Sequence, residues 1–349
     1  MVVAWSVETA VWLWEGYQWT LSFADERVAG WMLMSSPVYT LAWSLAYLLM
    51  ICVGPLVMSC LPPFQLRPIM VLFNGFLTLL NAYICVELFV VSWKAGYSYQ
   101  CQPVSFSHDP LEMRVAAALW WFYFSKLLEF ADTLFFILRK KFNQLTFLHV
   151  YHHVTMFCFW WIGVKWVAGG SAFLGAMMNS AVHTVMYFYL GYTAAFPNAT
   201  VWWKKYLTAL QLTQFVIAII QTTIGLYIEC PFPRWMGYTC IVYMCSFIVL
   251  FADFWMRTYT KKDFAQQKKP PAMTTEEIER RKRILEKALQ KEYREYKKAK
   301  NGLISRHREG TSSTDTPGFS SPPQEGTSQQ HAAVNRRVKR GSMPKESVE

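Results

Sequence analysis

Residues 126–153 read KLLEFADTLFFILRKKFNQLTFLHVYHH, and this stretch decides the fold. It closes one apolar segment, passes through a basic connection of Arg139, Lys140 and Lys141, and opens a second apolar segment. The two segments extend outward to about residues 113 and 164, long enough for each to cross a bilayer core, which takes about 20 residues of helix. Both carry ionisable groups, which are costly in lipid and mark function there. Lys126, Glu129 and Asp132 stand at i, i+3 and i+6, near one face of a helix. His149, His152 and His153 stand at i, i+3 and i+4, again one face.

Working outward, the same apolar pattern recurs. Seven segments qualify as spans, at about 35–61, 68–93, 113–138, 145–164, 168–190, 206–228 and 235–257. The fourth and fifth carry several polar groups and are the least apolar. Backbone groups in lipid must be satisfied internally, so spans are helices or closed barrels. These segments are too long and too continuously apolar for barrel strands. The fold class is therefore all-α, a polytopic membrane protein with seven transmembrane helices.

Composition agrees. The chain has 349 residues, 53% hydrophobic and only 16% charged, against about 25% charge in an ordinary soluble domain. Residues 261–349 hold 21 of the 34 Lys and Arg and 12 of the 23 Asp and Glu, a net of +9 out of +11. A nearly neutral apolar body is thus followed by a basic, water-compatible tail. This divides the chain into an N-terminal segment 1–34, a membrane domain 35–262 and a tail 263–349. Within the tail, residues of about 274–300 read as a helix, with Thr274 and Glu277 able to form a capping box. From Gly302 onward Ser, Thr, Pro, Gly and Gln dominate, a composition expected to be disordered. No signal peptide is evident in residues 1–19.

Orientation follows from Lys and Arg in the short connections. Arg67, Arg139 to Lys141, Lys204, Lys205, Arg257, Lys261 and Lys262 share one side, which should be cytosolic. The N-terminus is then luminal and the tail cytosolic. Cys101 and Cys230 fall together on the oxidising side, where a disulfide is permitted.

The fifth segment adds Asn179, His183 and Tyr187 at one-turn intervals, and the sixth adds Gln211 and Gln214. Although connections alternate sides, most of these polar groups lie about 6–14 Å from the cytosolic face at 1.5 Å rise per residue. That common depth implies one chamber open to the cytosol.

Three classes of function fit such a chamber. A metal-dependent lipid-modifying enzyme, like the desaturases and hydroxylases, would use HxxHH as a ligand box. The chain has seven histidines with four in the spans, too few for a di-iron site of about eight, though a single zinc or iron remains an alternative. A lipid transporter could use buried charges along a polar path, but no internal repeat or pair of Gly/Pro-broken spans is visible. The metal-free reading takes a neutral imidazole as nucleophile and others as acid or base. A carboxylate such as Asp132 or Glu129 would fix an imidazole tautomer, and an amide or Tyr would stabilise an enolate or oxyanion. The apolar bundle would take a long chain, and the basic rim an anionic head such as coenzyme A. This points to acyl transfer on a lipid thioester.

Four ordered motifs now carry a resemblance: Lys126 to Thr133 (KLLEFADT), His149 to His153 (HVYHH), His183 to Tyr187 (HTVMY) and Gln211 to Gln214 (QLTQ). Together they are similar to the signature of the very-long-chain fatty acid elongase (ELO) family, over about 35–262. Met34 to Pro37 and the overall pattern most resemble its type 4, very-long-chain and polyunsaturated, subfamily. The resemblance implies a 3-oxoacyl-CoA synthase of the endoplasmic reticulum membrane. Acyl-CoA and malonyl-CoA would be the substrates, with no bound cofactor and no metal. It implies six helices in an inverted barrel around an acyl tunnel, a seventh beside them, and a ping-pong mechanism with His152 as nucleophile. His149, His153 and His183 would serve malonyl-CoA activation and proton movement. Lys126, Glu129, Asp132, Asn179, Tyr187, Gln211 and Gln214 would support the site, and Cys101 with Cys230 would match a luminal disulfide of the family. Implied partners are the other elongation-cycle enzymes (3-ketoacyl-CoA reductase, 3-hydroxyacyl-CoA dehydratase and enoyl-CoA reductase) and further elongase copies in homo- or hetero-oligomers, but no nucleic acid. Two departures stand out. Leu190 occupies a position where members often carry Tyr, and residues 344–349 are not a lysine-rich retention signal.

Overall fold

The computed structural model describes residues 2–199, 201–260 and 275–309. Its regular elements are all helical. In chain order they are α1 Val2–Leu21, α2 Pro37–Ser59, α3 Arg67–Lys94, α4 Pro110–Leu128, α5 Phe130–Leu138, α6 Phe147–Trp166, α7 Ala172–Ala195, α8 Lys204–Tyr227, α9 Arg234–Trp255 and α10 Thr275–Glu309. Residues 1–268 and 269–349 form two separate units. The second contains α10, a charged helix with exposed Leu285, Leu289 and Tyr293. It runs past Gly302 to Glu309, beyond the expected end of the tail helix. The expected disordered stretch otherwise lies outside the described residues.

Local chemistry starts several of these helices. Ser36 accepts from Val38 N–H ahead of Pro37, and Asp109 accepts from Leu111 N–H ahead of Pro110. Each pair joins a capping oxygen to a proline at the first helical position, where the missing N–H costs nothing. Thr146 Oγ1 accepts from His149 N–H at 3.2 Å and so starts the helix that carries HVYHH.

Two features differ from the sequence reading. The third apolar segment is not one helix. It divides at Glu129 into α4 and α5, with Glu129 serving as C-cap of one and N-cap of the other. The N-terminal segment 1–34, in which no element was marked out from the sequence, carries α1 over Val2–Leu21. Glu8, Glu15 and several Trp interrupt its hydropathy and concealed it.

The exterior and interior are inverted relative to a soluble protein. Leu56, Leu72, Leu79 and Val242 are each more than 70% exposed, and each would cost about 1.5–3 kcal/mol in water relative to burial. Lys126, Glu129, Asn81, Thr133 and Ser180 are buried. Among the described residues four helical stretches are long and apolar enough to cross a membrane: Pro37–Ser59, Arg67–Lys94, Lys204–Tyr227 and Arg234–Thr258. The α4–α5 segment, α6 and α7 are not among them, because they carry the ionisable and amide groups. The protein is an all-α polytopic membrane protein.

Packing follows a simple succession. α4 packs on α3 and α6, α3 on α7, α7 on α8, and α8 on α9. α9 returns to α6 through Tyr151 to Ser246 at 2.9 Å and Thr155 to Tyr243 at 2.6 Å. α2 packs on α5 and α6. The α2–α5 approach depends on Gly54, where a Cβ would sit 2.8 Å from Ile137 Cγ2.

The segment joining α1 to α2 lies across the C-terminal end of α6. Trp166, Trp161 and Trp120 donate their indole N–H groups to Thr20, Leu33 and Met32 carbonyls at 2.8, 2.9 and 3.0 Å. Lys165 Nζ donates to Met34 O at 3.2 Å. Arg27 and Asp25 form a buried ion pair at 2.6 Å, and Arg27 also donates to Ala168 O at 3.0 Å. Buried charges persist only when paired and hydrogen-bonded, and this pair meets both conditions.

Candidate active site

The polar residues marked out in the sequence come together where α4, α5, α6 and α7 face one another. Lys126 Nζ donates to Glu129 Oε1 at 2.7 Å and to Asn179 Oδ1 at 3.3 Å. His183 Nδ1 lies 3.2 Å from the same Glu129 oxygen and 3.4 Å from Lys126 Nζ. An ammonium only donates and a carboxylate only accepts. Glu129, the nearer group, therefore accepts a hydrogen bond from Nδ1–H, which leaves His183 Nε2 as the basic nitrogen. Asn179 commits its carbonyl to Lys126, which leaves its NH2 as the donor available to the cavity it lines.

Asp132 takes a different partner from Glu129. Asp132 accepts from Tyr187 OH at 2.8 Å, whereas Lys126 and His183 bond to Glu129. The three charges expected on one face thus divide into two sets. Glu129 faces a histidine, and Asp132 faces a tyrosine.

The histidines form a continuous array. His149 and His153 have ring centroids 4.2 Å apart, and His152 and His153 are 5.3 Å apart edge to face. His152 and His183 stack at 5.9 Å with planes 29° apart. His149 Nε2 is 2.7 Å from Thr133 Oγ1, which in turn is 2.9 Å from Tyr47 OH. The sequence reading assigned no role to Thr133 or Tyr47. Thr133 adjoins Asp132 in the quoted motif, but an uncharged side chain gives no signal of cost in lipid. Tyr47 sits in an apolar span where a phenol reads as ordinary packing.

Of the four histidines only His152 lines the large cavity between α6, α7, α8 and α9. That cavity has a volume of about 300 Å³. His152, Asn179 and Gln214 line one end, and Ser171, Cys230 and Trp235 line the other. Between them the wall is mainly apolar, with Met156, Phe159, Phe215, Met244 and Phe247. His152 and Gly163 on α6 both line it, so it runs for about 17 Å along that helix. Gln214 belongs to this wall, whereas Gln211 donates to Met186 Sδ at 3.7 Å and stands apart. Cys101 and Cys230 are joined by a disulfide.

The donor set does not suit a metal. Among the described residues no three His, Cys, Asp or Glu side chains converge as ligands. His149 Nε2 and His183 Nδ1 are already engaged by Thr133 and Glu129. The arrangement instead offers an uncommitted imidazole at one end of an apolar cavity, with a second oriented imidazole stacked beside it and an amide donor on the wall. That is equipment for nucleophilic attack on an activated acyl group, with an acid or base at hand.

Comparison with known proteins places this chain in a wider group. The GNS1/SUR4 family (ELO) matches residues 32–267. Very long chain fatty acid elongase 4 of Mus musculus is 53% identical over 249 residues, covering 71% of this chain and 80% of the relative. Its namesake in Homo sapiens is 52% identical over 263 residues, covering 75% and 82%. Very long chain fatty acid elongase 2 of Mus musculus is 45% identical over 244 residues, covering 68% and 82%. With a family match across residues 32–267 and relatives this similar over most of their length, the chain belongs to the GNS1/SUR4 (ELO) family.

Proposed function

We propose that the protein is the condensing enzyme of fatty acid elongation, a 3-oxoacyl-CoA synthase, with His152 as its nucleophile. The observation that carries the reading is the placement of His152, the one member of the histidine array that reaches the apolar cavity.

In the first half-reaction the acyl chain lies in the cavity and its thioester carbonyl meets the His152 ring. The imidazole attacks, the C–S bond breaks, and the thiolate leaves as free CoA with the imidazole proton. In the second half-reaction malonyl-CoA loses CO₂ and its enolate attacks the acyl-imidazole carbonyl. The C–N bond breaks, His152 recovers a proton, and 3-oxoacyl-CoA departs two carbons longer than the starting acyl group. The Asn179 NH2 and the oriented His183 are the donor and base nearest this exchange. His149, His153 and His183 together serve malonyl-CoA activation and proton movement.

The membrane arrangement belongs to the same reading. The succession α4, α3, α7, α8, α9 and α6 is read as a six-helix inverted barrel around the acyl tunnel, with α2 beside it and seven spans in all. Basic connections at Arg139 to Lys141 and at Lys204 and Lys205 support a cytosolic mouth. The Cys101–Cys230 disulfide supports a luminal far end. The N-terminus is then luminal, the tail beyond residue 262 cytosolic, and the compartment the endoplasmic reticulum. Acyl-CoA, malonyl-CoA, the other elongation-cycle enzymes and further elongase copies are the partners of such an enzyme. The similarity to elongase 4 supports very long acyl-CoA substrates.

The test is product analysis of the purified protein with malonyl-CoA and a panel of acyl-CoAs. The expected result is 3-oxoacyl-CoA two carbons longer than each accepted substrate, with CO₂ released. Transport of acyl-CoA across sealed vesicles without longer products would overturn the reading.

A further inference from the structure

Tyr47 stands on α2, which among the described residues contributes nothing to the wall of the cavity that His152 lines. It is 2% exposed, and its ring stacks on Phe130 at 4.2 Å with planes 28° apart. Its hydroxyl is 2.9 Å from Thr133 Oγ1, which is 2.7 Å from His149 Nε2. The His149 ring also meets Phe136 at 5.2 Å and His153 at 4.2 Å. One face of each helix makes the approach. Tyr47 and Gly54 are two turns apart on α2, and Thr133 and Ile137 are one turn apart on α5. Tyr47 meets Thr133, and Gly54 admits Ile137. The packing that closes α2 on α5 therefore sets the Tyr47 hydroxyl against Thr133.

The row of three groups has a direction. A tyrosine or threonine hydroxyl carries one hydrogen, and a ring nitrogen of neutral imidazole either donates or accepts. Among the described residues, Tyr47 OH bonds only to Thr133, and Thr133 Oγ1 only to Tyr47 and His149. Buried donors in folded proteins are paired. Were His149 Nε2 protonated, it would donate to Thr133, and either the Tyr47 or the Thr133 hydrogen would be left without an acceptor. One arrangement uses every hydrogen. Tyr47 OH donates to Thr133 Oγ1, and Thr133 OH donates to His149 Nε2, an assignment made from the network. The His149 proton then sits on Nδ1, and Nε2 is occupied. His183 is held the other way round, with Nδ1–H given to Glu129 and Nε2 left basic.

We propose that Tyr47 is a positioning residue for condensation, which acts through Thr133 to hold His149 as a neutral imidazole that donates at Nδ1 and takes no proton at Nε2. The proposal rests on the condensing-enzyme reading above, and it divides roles between two histidines which that reading groups together. His183 is the one of the pair that can accept a proton. His149 is a hydrogen-bond donor for malonyl-CoA. As CO₂ leaves, the electron pair of the breaking C–C bond enters the enolate, and charge grows on the thioester oxygen. A fixed N–H aimed at that oxygen stabilises the charge and keeps its own proton. The Tyr47 hydroxyl touches no substrate in this account. It sets which nitrogen of His149 carries the hydrogen.

Two measurements test it. Nitrogen NMR of the wild-type protein labelled at histidine reads the tautomer directly, with the His149 signals assigned by their loss in His149→Gln. A protonated Nδ1 and an unprotonated Nε2 are expected, and a proton on Nε2 would overturn the proposal. The second measurement separates the half-reactions in Tyr47→Phe, which keeps the ring on Phe130 and removes only the hydroxyl. Release of CoA from acyl-CoA alone should stay near the wild-type rate. Formation of 3-oxoacyl-CoA when malonyl-CoA is then added should slow by about tenfold or more, the worth of one oriented hydrogen bond. Equal slowing of both steps would make Tyr47 merely structural, and slowing of neither would remove it from the mechanism; either result overturns the proposal. If Tyr47→Phe does not fold, the wild-type tautomer decides. A wild-type protein that lengthens no acyl-CoA would contradict the function itself, whereas the tautomer is read without turnover.

Discussion

His183 Nδ1 lies 3.2 Å from Glu129 Oε1, and that one carboxylate oxygen also carries Lys126 at 2.7 Å. Glu129 thus fixes the tautomer of a histidine and neutralises a buried ammonium at once. Glu129→Gln keeps the shape and removes the charge. Leaving one member of a buried ion pair unpaired costs about 3–5 kcal/mol, so the thermal midpoint should fall. Disturbing an acid–base group costs about 10²–10⁴ in rate, so kcat for condensation should drop by at least about a hundredfold with a smaller change in KM for acyl-CoA. Wild-type kcat in this variant would remove Glu129 from the mechanism.

Thr133 links Tyr47 to His149 through contacts of 2.9 and 2.7 Å. Thr133→Val keeps the volume and strips the hydroxyl, leaving His149 Nε2 without its partner. A buried group left unsatisfied costs about 1–3 kcal/mol, which corresponds to about ten- to a hundredfold in rate. Thr133→Ser should restore most of the loss. Steady-state condensation kinetics on the two variants decide it, and equal rates in Val and Ser would make the contact structural.

The Asp25–Arg27 pair should govern stability rather than chemistry. Asp25→Ala leaves Arg27 buried and unpaired, at a cost of about 3–5 kcal/mol. A lowered thermal midpoint in detergent, with kcat per folded molecule near wild type, is the expected outcome. An unshifted midpoint would mean that the indole hydrogen bonds from Trp120, Trp161 and Trp166 hold the segment without it.

Tyr97 lies past the end of α3 and donates to Glu112 Oε2 at 2.6 Å. Burial, then the hydrogen bond and charge of Glu112, raise its pKa above the ordinary tyrosine value. A raised folded pKa favours the folded state while the phenol is protonated. That contribution is present below the unfolded value of about 10 and is lost as pH climbs through the folded one. Thermal midpoints measured above about pH 10 should therefore fall less steeply in Tyr97→Phe than in wild type. Parallel curves would show that the phenol does not titrate with unfolding.

Much of this was legible in the sequence for identifiable reasons. Apolar runs marked the helices between Pro37 and Trp255, four of them long and apolar enough to cross a membrane among the described residues, and ionisable residues within the other apolar segments marked the site. Glu129 and His183, placed at a common depth by the sequence, meet at 3.2 Å. Partner choice was less legible. Glu129 and Asp132 are the same chemistry three residues apart, yet one meets His183 and the other Tyr187. Gln211 and Gln214 share a motif and differ by less than one turn, and only Gln214 reaches the cavity. Such outcomes are set by rotation of one helix against another, which a periodic pattern fixes only loosely.

The central claim is that His152 carries the acyl group, and intact-mass analysis tests it most directly. The protein is incubated with acyl-CoA alone, without malonyl-CoA, and then mapped by peptide mass. One acyl addition on His152 that disappears when malonyl-CoA is supplied, and is missing in His152→Ala, is the predicted result. An active enzyme that forms no adduct, or His152→Ala retaining wild-type condensation, would contradict it.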